Sequence, residues 1–316
     1  MARRVSPFHN KDSQPGFLPL MSAPNLSFDR QNALREARAI LRHHGKSYYY
    51  SACLFPRELQ DATCAVYAFV RLPDEIVDNS PQETPEDLLE VERQLKEFSD
   101  EWRRAYQTRH SSNQILQLTA ETWHQYQIPY QYSEDFLRAM LQDTHQTDYA
   151  TYEDLENYMY GSAAVIGLMM SHLVGFSDPK TLEHAQKLGY AMQLTNFLRD
   201  IDEDFQLRNR VYMPADELEK FNLRRADIEN RDFSPDFRAF MEFQAARAHQ
   251  LYEDANLGIP MLNREGRFAV ATASTLYRAI LGKLEKEGWN PFPKRVKTSM
   301  PEKIVLTGRA WKLSRA

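Results

Sequence analysis

Cysteine is nearly absent from this 316-residue chain: Cys53 and Cys64 are the only two, too few for a disulfide framework or a cysteine-based metal site. Both lie in an apolar, helix-like segment, so buried thiols and a reducing compartment are the expectation. Glycine is scarce at 11 residues, and the dipeptides that close β-hairpins are rare, which favours long helices over strands. No apolar run can cross a bilayer. The longest, residues 163–176, is interrupted by Ser171 and His172 and is too short to span. The net charge of −5 excludes a generally basic nucleic-acid binder, and no nucleic-acid partner is expected. The first residues carry two arginines but no apolar core of signal-peptide length, so residues 1–26 read as a flexible arm.

Hydrophobic residues make up 42% of the chain and charged residues 26%, which describes an ordinary globular protein. Apolar positions recur at three- and four-residue spacing, as in Leu88, Leu89, Leu95, Phe98 and Trp102, and predict about ten helices. The expected boundaries are 31–43, 57–79, 85–106, 113–126, 133–143, 151–175, 179–206, 235–256 and 267–287. Asp29 and Thr151 stand as N-caps, and Gly45 as a stop. An all-α domain is expected over 27–305, followed by a basic tail over 306–316. From Lys283 onward nine basic residues face three acidic ones. They suit either a diphosphate or an anionic membrane surface, and they equally suit a plain solvated tail.

Two acidic runs carry the chemistry. In QLTNFLRDIDED, residues 193–204, a helix stacks Asn196, Asp200 and Asp204 on one face and turns Asp202 and Glu203 away. In YAFVRLPDEIVD, residues 67–78, Asp74 and Asp78 repeat the spacing, with Arg71 one turn upstream. Carboxylates one turn apart repel each other, whereas a divalent cation turns the pair into a site. Mg²⁺ binds through one or two carboxylates together with substrate phosphate. Two such pairs suit a diphosphate substrate, with the metal supporting charge on the departing group. A carbocation left behind needs a dry site lined by π faces. The cluster Tyr48, Tyr49 and Tyr50, with Tyr67, Phe69, Tyr158 and Tyr160, could supply them. A di-iron bundle needs two Glu-x-x-His motifs, and only residues 121–124 fit.

At this point the chain resembles the squalene/phytoene synthase family, from about residue 43 to residue 303. The matching segments are HGKSYY at 44–49, the run at 67–78, YMYGSAAVIG at 158–167, the run at 193–204 and RVYMP at 210–214. The resemblance implies an isoprenoid-synthase helical bundle around a central active-site tunnel, in which two prenyl diphosphates condense head-to-head. By position, Asp74, Asp78, Asp200 and Asp204 hold Mg²⁺, or Mn²⁺ in its place, with Asn196 assisting. Tyr67 and Arg71 join them as catalytic residues. Lys46, Arg71, Arg199, Tyr212 and Arg295 bind diphosphate, while His44, Ser47, Tyr48, Tyr67, Tyr158 and Gln193 line the site.

The expected product is phytoene from two geranylgeranyl diphosphates, with no NADPH. A dehydrosqualene- or squalene-type reaction on farnesyl diphosphate is the alternative, and a non-catalytic assembly factor is the alternative of another class. The tunnel floor is expected around residues 162–170. A cytoplasmic enzyme touching the membrane's inner face follows from the insoluble product, with downstream isoprenoid-pathway enzymes as further partners. Three departures from the family pattern stand out: Ala164 and Asn209 where Gly is usual, and Pro73 before the first aspartate. Pro73 predicts a kink or a helix restart at Asp74.

Overall fold

A computed structural model describes residues 28–80 and 84–315; the expected N-terminal arm lies outside the described residues. Helix α1 (Arg30–His44) begins where the Asp29 carboxylate accepts from the backbone N–H groups of Gln31 and Asn32, and it stops at Gly45. α2 (Lys46–Ala52) follows directly. α3 (Arg57–Asn79) runs through Pro73 without a break. Of the two predicted outcomes, a kink or a restart, the restart at Asp74 does not occur: Pro73 and its neighbours Val70, Ile76 and Val77 are buried against the bundle. That packing offsets the missing backbone donor. Cys64 is buried on this helix, whereas Cys53, expected inside, is exposed.

α4 (Pro85–Thr108) opens with a reciprocal capping box between Thr84 and Asp87. Its buried face is Val91, Leu95, Phe98, Trp102 and Ala105, while Leu89 points to solvent. α5 (Gln114–Gln125) and α6 (Tyr130–Gln142) complete the first half. Phe69, Trp102 and Trp123 form an aromatic core with ring centroids 4.7–5.3 Å apart, and Trp102 Nε1 donates to Ser133 Oγ at 2.8 Å. Phe69 is therefore a core residue and not a π face of the site.

The predicted helix 151–175 is made of three parts. α7 (Tyr152–Met159) passes through one π-helical turn at Tyr160–Ala164 into α8 (Val165–Val174). α9 (Thr181–Arg208) is the central helix, 28 residues long and so about 42 Å from end to end. It packs against α8, the π turn, and the two long helices α12 and α13. Small residues make the α8–α9 approach possible: a Cβ on Gly167 would lie 2.5 Å from the Ala185 carbonyl, and one on Gly189 would lie 2.7 Å from the Ala163 carbonyl.

Asn209 ends α9 in the left-handed conformation, φ 53°, which explains a glycine preference there and why Asn can replace it. Short helices α10 (Ala215–Lys220) and α11 (Arg225–Glu229) lead to α12 (Pro235–Asn256) and α13 (Arg264–Lys286). The expected tail is in large part a helix, α14 (Met300–Leu313), seated on α13. Among the described residues there is no sheet, only two isolated bridges, Asp148–Val211 and Phe176–Leu262, and no helix long and apolar enough to cross a membrane.

Candidate active site

α3 and α9 bring the two acidic motifs together, and arginines join them. Arg208, at the end of α9, grips Asp78 through two bonds of 2.9 Å and lies 3.7 Å from Asp204. Asp200 accepts from Arg199 Nε at 2.7 Å and from both arms of Arg295 at 2.7 and 2.8 Å. Arg71 reaches Asp74 and Glu75 on its own helix, and Glu75 in turn meets His44 Nε2 at 3.1 Å. Asp74, Asp78, Asp200, Asp204, Arg71, Arg199, Arg295 and His44 thus share one charged region.

Their protonation reflects this crowding. Burial pushes Asp74 up to about 7, helped by Asp78 and opposed by Arg71. Burial raises Asp204 to about 8, with Asp200 adding to the effect and Arg208 opposing it. Burial also acts on Asp200, but the hydrogen bonds from Arg199 and Arg295 outweigh it and hold this carboxyl below its usual value. Each motif therefore pairs a carboxylate firmly held by arginine with one that burial and like charge have pushed up.

Asp143, at the end of α6, was not singled out by the sequence. It is buried, accepts from Tyr158 at 2.7 Å and from Tyr212 at 3.5 Å, and lies 3.6 Å from Arg210. Arg210, only 3% exposed, also donates to the Asp143 carbonyl at 2.7 Å and reaches toward Asp78 at 3.9 Å. Tyr212 stacks on Phe197 at 4.1 Å. Tyr158 and Tyr212 consequently brace the charged end from behind rather than lining the space in front of it. A single Asp at a helix end repeats no motif spacing, whereas Arg210 was visible in the RVYMP segment.

A cavity of about 230 Å³ runs from the charged end into the bundle. Along α9 its lining includes Asn196, Gln193, Met192, Leu188, His184 and Thr181. These fifteen helical steps cover about 22 Å. Tyr48, Tyr67 and Tyr277 face the same space, the last of them missed by the sequence reading. Tyr49, Tyr50, Tyr158 and Tyr160 are not among its walls.

Of the expected floor, Ser162, Ala163, Ile166, Gly167 and Met170 line the cavity, whereas Leu168 and Met169 are buried elsewhere in the core. Asn196 Oδ1, Ser162 Oγ and Thr181 Oγ1 are buried there without hydrogen-bond partners. Ser47 is half-buried, and Lys46 is exposed beside Lys303, which donates to its carbonyl at 3.4 Å. Contrary to expectation, Glu203 does not simply face solvent: it meets Arg295 at 3.1 Å. Asp202 pairs with Arg231 at 2.7 Å on the outside.

Among the described residues no three acidic, His or Cys side chains converge as a ready metal cage. The donor set still suits a cation that arrives with a diphosphate, since such a cation needs few protein ligands. The unpartnered Asn196 Oδ1 and the carboxyls of Asp74 and Asp204, raised first of all by burial, are oxygens that such a cation would satisfy.

Comparison with known proteins agrees with this geometry. The squalene/phytoene synthase family profile matches residues 41–302. A 15-cis-phytoene synthase of Synechocystis sp. is 33% identical over 296 residues, covering 89% of this chain and 85% of the relative. A phytoene synthase of Thermus thermophilus is 32% identical, covering 87% and 91%. Among solved structures, a ligand-bound dehydrosqualene synthase superimposes with a TM-score of 0.80 at 26% identity, over 90% of this chain and 98% of that one. The squalene synthase HpnC of Alicyclobacillus acidocaldarius shares the fold with a TM-score of 0.75 at 23% identity, over 84% and 98%.

Proposed function

The chain belongs to the squalene/phytoene synthase family, and from that premise we propose that it condenses two geranylgeranyl diphosphates head-to-head to phytoene. It is a prenyltransferase of the all-α isoprenoid-synthase fold. The observation that carries the reading is the apolar cavity that starts at Asn196, beside the paired aspartates, and follows α9 inward to Thr181.

Asp74, Asp78, Asp200 and Asp204, with Asn196, would hold Mg²⁺ or Mn²⁺, which when bound offsets negative charge on a departing diphosphate. Arg71, Arg199, Arg208 and Arg295 already sit on these carboxylates, and each guanidinium can turn its fork to phosphate oxygens. His44, at the end of α1, meets Glu75, the neighbour of Asp74, at 3.1 Å, and Lys46 opens α2 two residues later. As the carbon–oxygen bond of the first substrate breaks, the allylic cation meets the π faces of Tyr48, Tyr67 and Tyr277. Burial holds the phenols of Tyr48 and Tyr67 protonated well beyond neutral pH, so they present neutral rings and not a nucleophile. The apolar walls exclude water that would quench the cation.

Purified protein with Mg²⁺ is expected to convert geranylgeranyl diphosphate to a C40 hydrocarbon without a nicotinamide. A C30 product from farnesyl diphosphate, or a demand for NADPH, would overturn that choice. The farnesyl reading is the second one, and the likeness to the dehydrosqualene synthase structure favours it. Either product is a hydrocarbon without useful solubility, so we also propose peripheral contact with a membrane surface.

A further inference from the structure

Four of the nine large apolar side chains exposed among the described residues lie on one 14-residue helix, α14: Met300, Ile304, Val305 and Trp311. Single exposed hydrophobics are ordinary, whereas a cluster of them is informative. At about 100° per residue, Met300, Ile304 and Trp311 fall within a narrow strip along the helix. They are 57%, 63% and 47% exposed.

The side of α14 that faces the body is a different one. Lys303 and Ala310 are buried there, and Thr307 donates to Tyr50 at 3.2 Å. Beyond the strip, on the side away from the body, come Lys312, then the exposed Val305, and last Arg309, about 180° round from Met300. Arg315 closes the end with its guanidinium 3.8 Å over the Trp311 ring. The helix's single acid, Glu302, is neutralised by Lys283 at 2.8 Å. Two of the basic residues before the helix are engaged elsewhere: Arg295 with Asp200 and Glu203, and Lys294 with Glu287 at 3.1 Å.

We propose that α14 is an interfacial helix that lays Met300, Ile304 and Trp311 into the surface of an anionic lipid bilayer, with Arg309, Lys312 and Arg315 on the headgroups. An apolar strip that includes tryptophan, with Arg315 and Lys312 along its outer edge and Arg309 further round the exposed side, fits the boundary of headgroup and acyl chain. A second copy of the chain fits poorly, because a twofold pairing of this face would bring two sets of these cations together. Position agrees as well: Val270 of α13 lines the cavity and also packs in the cluster beneath Ala310, so the docked helix is one layer from the tunnel wall. The inference takes its purpose from the hydrocarbon product proposed above, but its test needs no turnover.

Full-length protein is sedimented with vesicles of phosphatidylcholine alone and with added phosphatidylglycerol. The wild type is expected to partition to the anionic vesicles. The Ile304→Asp/Trp311→Asp variant should lose at least tenfold in partitioning, with an unchanged melting temperature and unchanged turnover of detergent-dispersed substrate. Met300→Asp provides an independent change on the same strip. Arg309→Gln/Lys312→Gln should abolish the preference for anionic lipid. Equal binding by the strip variants, or a wild type that ignores both vesicles, overturns the proposal. A dimer broken by Ile304→Asp/Trp311→Asp overturns it in favour of a second copy. Failure of the product assay leaves the vesicle result intact, so the two readings fall separately.

Discussion

The two ends of α9 are built on opposite terms. At its C-terminal end Asp200, Asp204 and the facing Asp78 are all met by arginines. At its N-terminal end Thr181 Oγ1 is buried with no partner, facing an apolar cavity. Charge at the first end is expensive to hold apart and tightly arranged, which suits chemistry at one bond. The second end is loosely satisfied, which suits a role in measuring a hydrocarbon. The difference teaches that a single helix can carry a crowded ionic site at one end and an apolar cavity wall at the other.

The most severe way to break the comparison is Asp200→Asn. Removing this carboxylate should cut turnover by about 10²–10³-fold or more, equally for C15 and C20 substrates, with circular dichroism unchanged. A loss confined to one chain length would mean that the charged end also measures length. The opposite change is Thr181→Trp. It should leave farnesyl diphosphate turnover nearly intact while lowering kcat/KM for geranylgeranyl diphosphate by roughly 10–200-fold. An equal loss for both substrates would remove the ruler from this end.

Smaller effects sharpen the picture. The Asp204 carboxyl sits at about 8 against an ordinary 3.8, so the folded chain binds this proton more tightly than the unfolded chain does. The stability it contributes is fully present below about pH 4 and is lost as pH rises through about 8. Metal-free protein should therefore melt lower at pH 9 than at pH 6. Asp204→Asn should flatten that fall, raising the melting temperature at pH 9 by about 2–4 °C for each kcal/mol relieved. A variant that melts as the wild type does at both pH values would show that the charge is not strained. Smallest of all, Thr181→Val replaces an orphaned hydroxyl with a methyl group and should be neutral or stabilising by about 1 kcal/mol, as denaturant titration would read.

Much of this was visible in the residues. The four-residue spacing placed Asn196, Asp200 and Asp204 together, and Asp29, Thr151 and Gly45 marked helix ends because capping is a local property. Pro73 did not restart the helix because its local penalty was outweighed by burial of the α3 face. Phe69 and Leu89 were misassigned for a related reason: periodicity gives the direction of a side chain but not what stands opposite it. Asp143, Arg208 and Tyr277 required the fold, since their partners come from helices distant in sequence. α14 was read as a tail because its basic residues stood out, and its seat on α13 could be seen only in the fold.

The π turn at Tyr160–Ala164 shows how such a tunnel is indexed. One residue beyond α-helical spacing rotates everything downstream by about 100°. Before the turn Tyr158 faces Asp143, and within and after it Ser162, Ala163, Ile166, Gly167 and Met170 face the cavity. The extra residue works as a phase shift between two otherwise independent faces of one rod. For protein engineering this means that deleting a single residue there would rotate a whole wall out of register, a change that no point substitution in the same wall can imitate.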